Sequence, residues 1–343
     1  MLKTIYTENS SLKNSFTGIG KTVSFLFSTI VSLGYNMMVL ETKQNSFIKD
    51  LFYYNFTLRK YCKKHLTEEN PFLIPNNMGK FFRLPHSNTW IIVHDLIPLS
   101  NRFGYKGIKR LLYKIKMSQL KKASRIFTIS EYVKKDIIDN IGVPAEKIDV
   151  IYWPNIYSID NIKTKKGCQI QFLGVGTGEA RKDIQEIINY WRFTPEDYQL
   201  FLFGKEIKSG EHDKIKNLIS SLGLSERVKI LGKVTDEELS DLYSRSSGFI
   251  FSSKEEGFGL PPLEALSHGT PVILPKTPIN FELYGDIGHF YSAGDISEFL
   301  AAIHGALICG ESEEKYKKFL TTFSVDNFRK RLKYLIDEKK DSN

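Results

Sequence analysis

One alternation limits this chain to few folds. Residues 169–174, 199–204, 227–234, 248–253 and 271–275 are short runs rich in Phe, Leu, Ile and Val. Between them lie stretches of helical period at 183–191, 212–222 and 236–246, and a further helix is expected to begin at Pro261. Proline is tolerated at a first helical position. The acidic opening of 236–246 suits the positive end of a helix dipole. Strands alternating with helices at this spacing make βαβ units and a parallel sheet with right-handed connections.

The N-terminal half repeats the theme less cleanly. Strands are expected at 3–7, 37–41, 89–95, 125–130 and 147–153, with helices near 20–33, 107–122 and 131–140. Residues 42–88 are aromatic and basic and carry no readable period. A polar stretch at 154–167 marks a boundary. A chain of 343 residues suits two domains, each long enough to bury a core. The expected organisation is α/β. Residues 1–155 and 156–322 form two Rossmann-like, doubly wound parallel-sheet domains facing across a cleft. Residues 323–343 form a helix crossing back to the N-terminal domain. Ligands of such sheets bind beyond the carboxyl ends of the strands.

Composition excludes several classes. Cys62, Cys168 and Cys309 are scattered, odd in number and without a CxxC pair. That argues against a disulfide framework or a zinc site and for a reducing compartment, with cysteines serving as small core residues. The start of the chain lacks the apolar run of a signal peptide. The uncharged window 22–40 is interrupted by Ser24, Ser28, Ser32, Gly34 and Asn36, which fits a helix, a turn and a strand better than a membrane span. Residues 1–153 hold 23 Lys and Arg against 11 Asp and Glu, so they carry the positive net charge. Residues 102–125 interleave Ile108, Leu111, Leu112 and Ile115 with Lys114, Lys116, Lys121 and Lys122. A basic amphipathic helix of this kind suits an anionic membrane surface. A solvated helix face explains the pattern equally well. No recognition motif for nucleic acid accompanies the charge.

The chemistry concentrates in residues 251–272. Gly257 and Gly259 let backbone approach a ligand without a Cβ in the way. The amides at the following helix start suit phosphate or sugar oxygens. Glu264 is expected in the first helical turn, facing the same side as Glu256. Carboxylates accept from sugar hydroxyls, so Glu256 and Glu264 could grip a hexose and a ribose on either side of a backbone nest.

The stretch EEGFGLPPLEALSHGTPV (255–272), with its E-x7-E spacing, resembles the signature of the family 4 retaining glycosyltransferases of GT-B fold. The resemblance extends over about 15–30 and 90–340, and 42–88 shows no motif that matches it. It implies that Glu256, Gly257, Phe258, Gly259 and Leu260 meet the donor sugar and phosphate and that Glu264 binds the ribose. Residues 172–188 resemble the family segment in which an Arg-Lys pair, here Arg181 and Lys182, reaches the diphosphate. Residues 94–99 resemble the segment whose histidine, here His94, approaches the donor sugar. Residues 231–243 resemble the base pocket, implicating Lys233 and Val234. Residues 15–24 resemble the glycine loop before the first helix, where Gly18 and Gly20 let backbone approach the donor phosphate. Gly20-Lys21-Thr22 also looks like the end of a P-loop, but Ser15 stands where that motif needs glycine.

The resemblance implies a hexosyltransferase acting from a nucleotide diphosphate sugar on a lipid-linked or polysaccharide acceptor in O-antigen, capsule or exopolysaccharide synthesis. GDP-mannose is favoured slightly over UDP-sugars. Such an enzyme would be cytoplasmic and peripheral on the inner face of the plasma membrane. The chain has no Asp-x-Asp. A metal-independent reaction without a cofactor is therefore expected, with Arg181, Lys182 and helix N-termini stabilising the leaving diphosphate. No side chain of the set is an obvious nucleophile, so front-face departure and attack with retention is expected. The rivals are a non-catalytic glycosyltransferase-like partner, which predicts degraded motifs, and a sugar-nucleotide epimerase, which needs no acceptor.

Overall fold

A computed structural model describes residues 3–8, 18–40, 46–157, 170–176, 179–204, 210–308 and 313–337. Cys168, Cys309, Ser15 and most of the expected boundary segment lie outside the described residues. The chain divides into two compact units, residues 1–153 with 326–343, and residues 154–325.

In the first unit six strands, β1 (Thr4–Glu8), β2 (Asn36–Leu40), β3 (Phe72–Ile74), β4 (Thr89–Val93), β5 (Arg125–Thr128) and β6 (Ile148–Val150), form one sheet. Its order is β2-β1-β3-β4-β5-β6, and every pairing is parallel. Helix α1 (Gly18–Ser32) turns Val23, Leu26, Phe27 and Ile30 inward. It is followed by a turn at Gly34, whose φ is +89°, and by β2. The uncharged window is thus a helix, a turn and a strand. No helix among the described residues is long and apolar enough to cross a membrane.

Residues 42–88 contain more structure than their sequence discloses. Helix α2 (Phe47–Phe52), a π-turn at Tyr53–Thr57 and α3 (Leu58–His65) precede β3. Tyr54, Leu58, Cys62 and Phe81 join the core of this unit. Burial pushes the Cys62 thiol up to about 12. The expected helix over 107–122 is shorter. Helix α4 (Gly107–Met117) gives way to a 3₁₀ turn at Ser118–Lys122. Helix α5 (Glu131–Ile141) is set by its ends. The Ser130 hydroxyl accepts from the Val133 amide, and Gly142 closes the helix at φ +74°.

In the second unit β7 (Gln171–Val175), β8 (Gln199–Phe203), β9 (Val228–Gly232), β10 (Gly248–Ile250), β11 (Val272–Pro275) and β12 (His289–Tyr291) form a parallel sheet ordered β12-β11-β10-β7-β8-β9. The helices are α6 (Ile184–Trp191), α7 (Glu211–Ser221), α8 (Asp236–Arg245), α9 (Leu260–Ser267), α10 (Pro278–Tyr284), α11 (Ile296–Ile308) and α12 (Glu313–Thr322). Thr235 and Glu238 start α8 with a reciprocal capping box. The core gathers Phe172, Trp191, Leu200, Leu202, Ile250 and Ile273. The strand order reverses between β7 and β10, a switch point where open parallel sheets form a crevice beyond their carboxyl ends.

The last helix, α13 (Val325–Asp337), packs in the first unit. Phe328 lies 5.7 Å from both Trp153 and Phe25, ring to ring. The carbonyls that end α13 have no partners within the helix. Lys3 Nζ donates to the Ile336 carbonyl at 3.1 Å, and Arg125 donates to that of Leu335. Cations at this end also suit the helix dipole.

Candidate active site

Two loops meet at the switch point of the second sheet. The first leaves β7 at Gly176, makes a 3₁₀ turn at Ala180–Lys182 and enters α6 through Asp183, a non-glycine residue at φ +42°. The second leaves β10 and reaches α9 over residues 251–259. They are tied together: the Lys254 amide donates to the Arg181 carbonyl at 2.9 Å, and the Ser252 hydroxyl to that of Lys182.

Their side chains converge. Lys182 Nζ lies 2.7 Å from Glu256 Oε1, and Arg181 also pairs with that oxygen. Arg181 donates further to the Glu255 carbonyl at 3.2 Å and to Glu179 at 2.7 Å. The side chains of Arg181, Lys182 and Glu256 are 19%, 14% and 13% exposed, so the cluster is shielded but open to a ligand. Burial alone would raise the Glu256 carboxyl, but Lys182 and Arg181 outweigh it and hold it below the usual carboxylate range. Lys182 Nζ also stands 4.9 Å over the Phe251 ring.

Glycine is required at two points. Gly176 has φ +100°, and a Cβ there would fall 2.9 Å from Lys182 Cγ. Gly259, the N-cap of α9, has φ +84°. The Tyr284 phenol from α10 donates to the Gly259 carbonyl at 2.6 Å, and the Leu263 amide bonds back to that phenol. Helix α9 begins at Leu260, one residue before the expected Pro261. Pro261 and Pro262 carry no N–H, so Leu260 is left as the first-turn donor of α9. Phe258 is buried, 6.1 Å from Phe323.

Glu264 is not in the first turn of α9 but is its fifth residue. Tyr243 from α8 donates to its Oε2 at 3.2 Å. Burial raises that phenol, and the Glu264 charge adds to the effect, so Tyr243 stays protonated as a donor. The Tyr243 ring stacks on His268 at 5.4 Å. His268 Nδ1 lies 2.8 Å from the Glu264 carbonyl, which can only accept, so Nδ1 carries a proton, and Nε2 lies 2.8 Å from the Ser240 hydroxyl. Lys233 and Val234 follow β9 on the same edge of the sheet, two strands from β7, with Lys233 exposed.

The remaining candidates belong to the first unit. His94 follows β4 and is 5% exposed. Its Nε2 donates to the Pro75 carbonyl at 2.9 Å, and its ring stacks on Trp153 at 5.7 Å. Burial lowers its pKa against the opposing pull of that carbonyl, so the ring is neutral. Gly18 and Gly20 are not loop residues before α1 but lie in its first turn. The sequence reading missed Tyr243, Tyr284, Lys254 and Gly176. Lys254 pairs with Asp183 and, at 3.5 Å, with Glu186, bracing the strained entry to α6. It also missed Glu8, a carboxylate 1% exposed at the carboxyl end of β1, which accepts from the Tyr54 hydroxyl at 2.9 Å. Among the described residues no group of His, Cys, Asp and Glu is arranged to hold a metal ion.

Two family models match the chain: "Glycosyl transferases group 1" over residues 157–321 and "Glycosyltransferase Family 4" over 35–154. The chain is 28% identical over 258 residues to the O-antigen chain mannosyltransferase RfbU of Salmonella typhimurium, spanning 74% of this chain and 70% of that one. It is 28% identical over 236 residues to the serotype-specific mannosyltransferase WbdA of Escherichia coli, where the match spans only 29% of the relative's length. Among solved structures, the lipopolysaccharide outer core galactosyltransferase WaaB in its apo form superposes with a TM-score of 0.73 at 18% identity, over 98% of this chain and 99% of the other. That likeness shows the GT-B fold.

Proposed function

As the chain belongs to the family 4 glycosyltransferases of GT-B fold, we propose that it moves a hexose from a nucleotide diphosphate sugar to a lipid-linked or polysaccharide acceptor, with retention of anomeric configuration. The observation that carries this reading is the meeting of Arg181, Lys182 and Glu256 at the switch point, where such a fold takes its nucleotide. Mannose from GDP-mannose is the favoured donor, supported by the likeness to the mannosyltransferases RfbU and WbdA.

Glu256 pairs with both cations. A donor diphosphate competes for Arg181 and Lys182, which stabilise the charge that builds on the leaving nucleotide without a divalent cation. Glu256 is thereby released to accept from hydroxyls of the sugar. Backbone from Gly257 to Leu260 lines the sugar and phosphate. Glu264, oriented by Tyr243, takes the ribose, and Lys233 and Val234 flank the base. For the first unit, the family resemblance assigns His94 a role towards the donor sugar and Gly18 and Gly20 a role towards the donor phosphate. The leaving phosphate assists deprotonation of the acceptor hydroxyl. The lipid-linked acceptor places the reaction at an anionic membrane surface on the cytoplasmic face.

The decisive experiment has two steps. A thermal-shift screen with UDP, GDP, ADP and dTDP identifies the base, and the matching sugar nucleotides are then incubated with acceptor. GDP is expected to stabilise most, and Glu256→Ala is expected to abolish transfer while the protein stays folded. A product of inverted configuration, or full turnover in Glu256→Ala, overturns the reading.

A further inference from the structure

The first unit holds a cavity of about 710 Å³ at the end of its sheet opposite the ligand edge. Lys63 lies before β3, Ser87 before β4 and Lys122 before β5, so the cavity opens where strands begin. Donor and acceptor ligands of open parallel sheets collect at the other end. The cavity therefore serves something else.

Its walls combine two chemistries. Arg59, Lys63, Arg83 and Lys122 line it, and among the described residues none of the four makes an ion pair. Arg59 spends only Nε on the protein, donating to the Leu84 carbonyl at 3.2 Å. Ser87, which also lines the cavity, donates its hydroxyl to Glu68. Four cations gathered around a cavity repel one another and call for an anion of matching charge. The other wall is apolar. Ile115 lines the cavity and ends a stripe on α4 with Ile108, Leu111 and Leu112. These four side chains are 51%, 72%, 57% and 48% exposed. Their spacing puts them on one helix face. A basic cavity continuous with a bare apolar stripe matches a molecule that is anionic at one end and apolar along the rest.

We propose that this cavity seats the phosphate of an anionic phospholipid, whose acyl portion lies along the α4 stripe. The site fixes the orientation of the first unit on the bilayer, which diffuse charge does not do. It rests on the reading that the chain works at a membrane surface and is independent of the transfer reaction. One of the lysines of the amphipathic segment acts differently. Lys116 donates to the Gly79 carbonyl, and burial lowers it to about 8, so it belongs to the protein rather than to the lipid-facing charge.

The test is co-sedimentation of the full chain with phosphatidylcholine vesicles, with and without phosphatidylglycerol. Two charge-matched variants are compared: Arg59→Gln/Arg83→Gln in the cavity, and Lys106→Gln/Lys109→Gln at the exposed N-cap and first turn of α4, outside it. At about fivefold per basic residue engaged at the surface, the cavity pair is expected to lose about 25-fold in affinity for the anionic vesicles and the control pair only a few-fold. Glycerol phosphate is expected to protect the cavity in the wild type but not in the cavity pair. Leu111→Ser/Leu112→Ser is expected to keep glycerol phosphate binding while losing vesicles. Equal losses in the two charge variants, unchanged vesicle binding in the cavity pair, or glycerol phosphate binding without any vesicle binding in the wild type each overturn the proposal. Nucleotide thermal shifts are read on every variant. A lipid result of either sign with nucleotide binding intact leaves the proposed transfer reaction standing, and loss of nucleotide binding in the wild type counts against that reaction alone.

Discussion

Tyr284 contributes one hydroxyl to the site, yet that hydroxyl fixes the backbone from which a donor sugar would be approached. Its phenol donates to the Gly259 carbonyl, holding the N-cap of α9. Burial raises the phenol and the Glu264 charge raises it further, so it remains a donor across the working pH range. Tyr284→Phe is expected to cost about 1 kcal/mol, because the Gly259 carbonyl loses the phenol as a donor. Donor KM is expected to rise more than kcat falls. A melting curve and steady-state kinetics check this, and an unchanged KM argues that the loop is held by other means. Nothing in the sequence marks Tyr284, since it lies on a different helix from the residues it supports. Arg181, Lys182 and Glu256, whose side chains meet, could be singled out as candidates because their own local motifs carry them.

At the level of the loop and helix, Gly176 decides where Lys182 stands. Its φ of +100° disfavours a side chain, and a Cβ would press on the Lys182 stem. Gly176→Ala is expected to cost about 1–2 kcal/mol in backbone strain and to lower kcat by displacing the lysine. If melting falls while kcat is unaffected, the ammonium position does not matter. The β7, β8 and β10 strands were readable because consecutive apolar residues bury on both faces of a covered parallel sheet. Residues 42–88 were not. Strand β3 has three residues, too few to show a period, and α3 carries Arg59, Lys60, Lys63 and Lys64 on a short helix. Their burial is set by neighbours in the sheet and core, not by local propensity.

For the molecule as a whole, acid sensitivity follows from a buried neutral histidine. Unfolded histidine titrates near 6.5, and His94 in the folded chain lies lower. The stability it contributes is therefore complete above about pH 6.5 and is lost as pH falls through the folded value. The melting temperature is expected to drop between about pH 7.5 and about pH 5.5. The drop should be smaller in His94→Gln, which keeps a donor for the Pro75 carbonyl but takes up no proton. An equal drop in both proteins assigns the acid sensitivity elsewhere.

Hydrophobic period and helix punctuation fixed the α/β class and the parallel sheets, because those signals are local and survive in any context. Motif order likewise singled out residues 181–182 and 256–264 as the candidate site. Strand order, the contact between side chains 75 positions apart and the packing of α13 in the first unit came only from tertiary structure. They depend on which buried surfaces and end carbonyls find partners far along the chain. Lys3 and Arg125 meet the last turn of α13, and no stretch of sequence records that meeting.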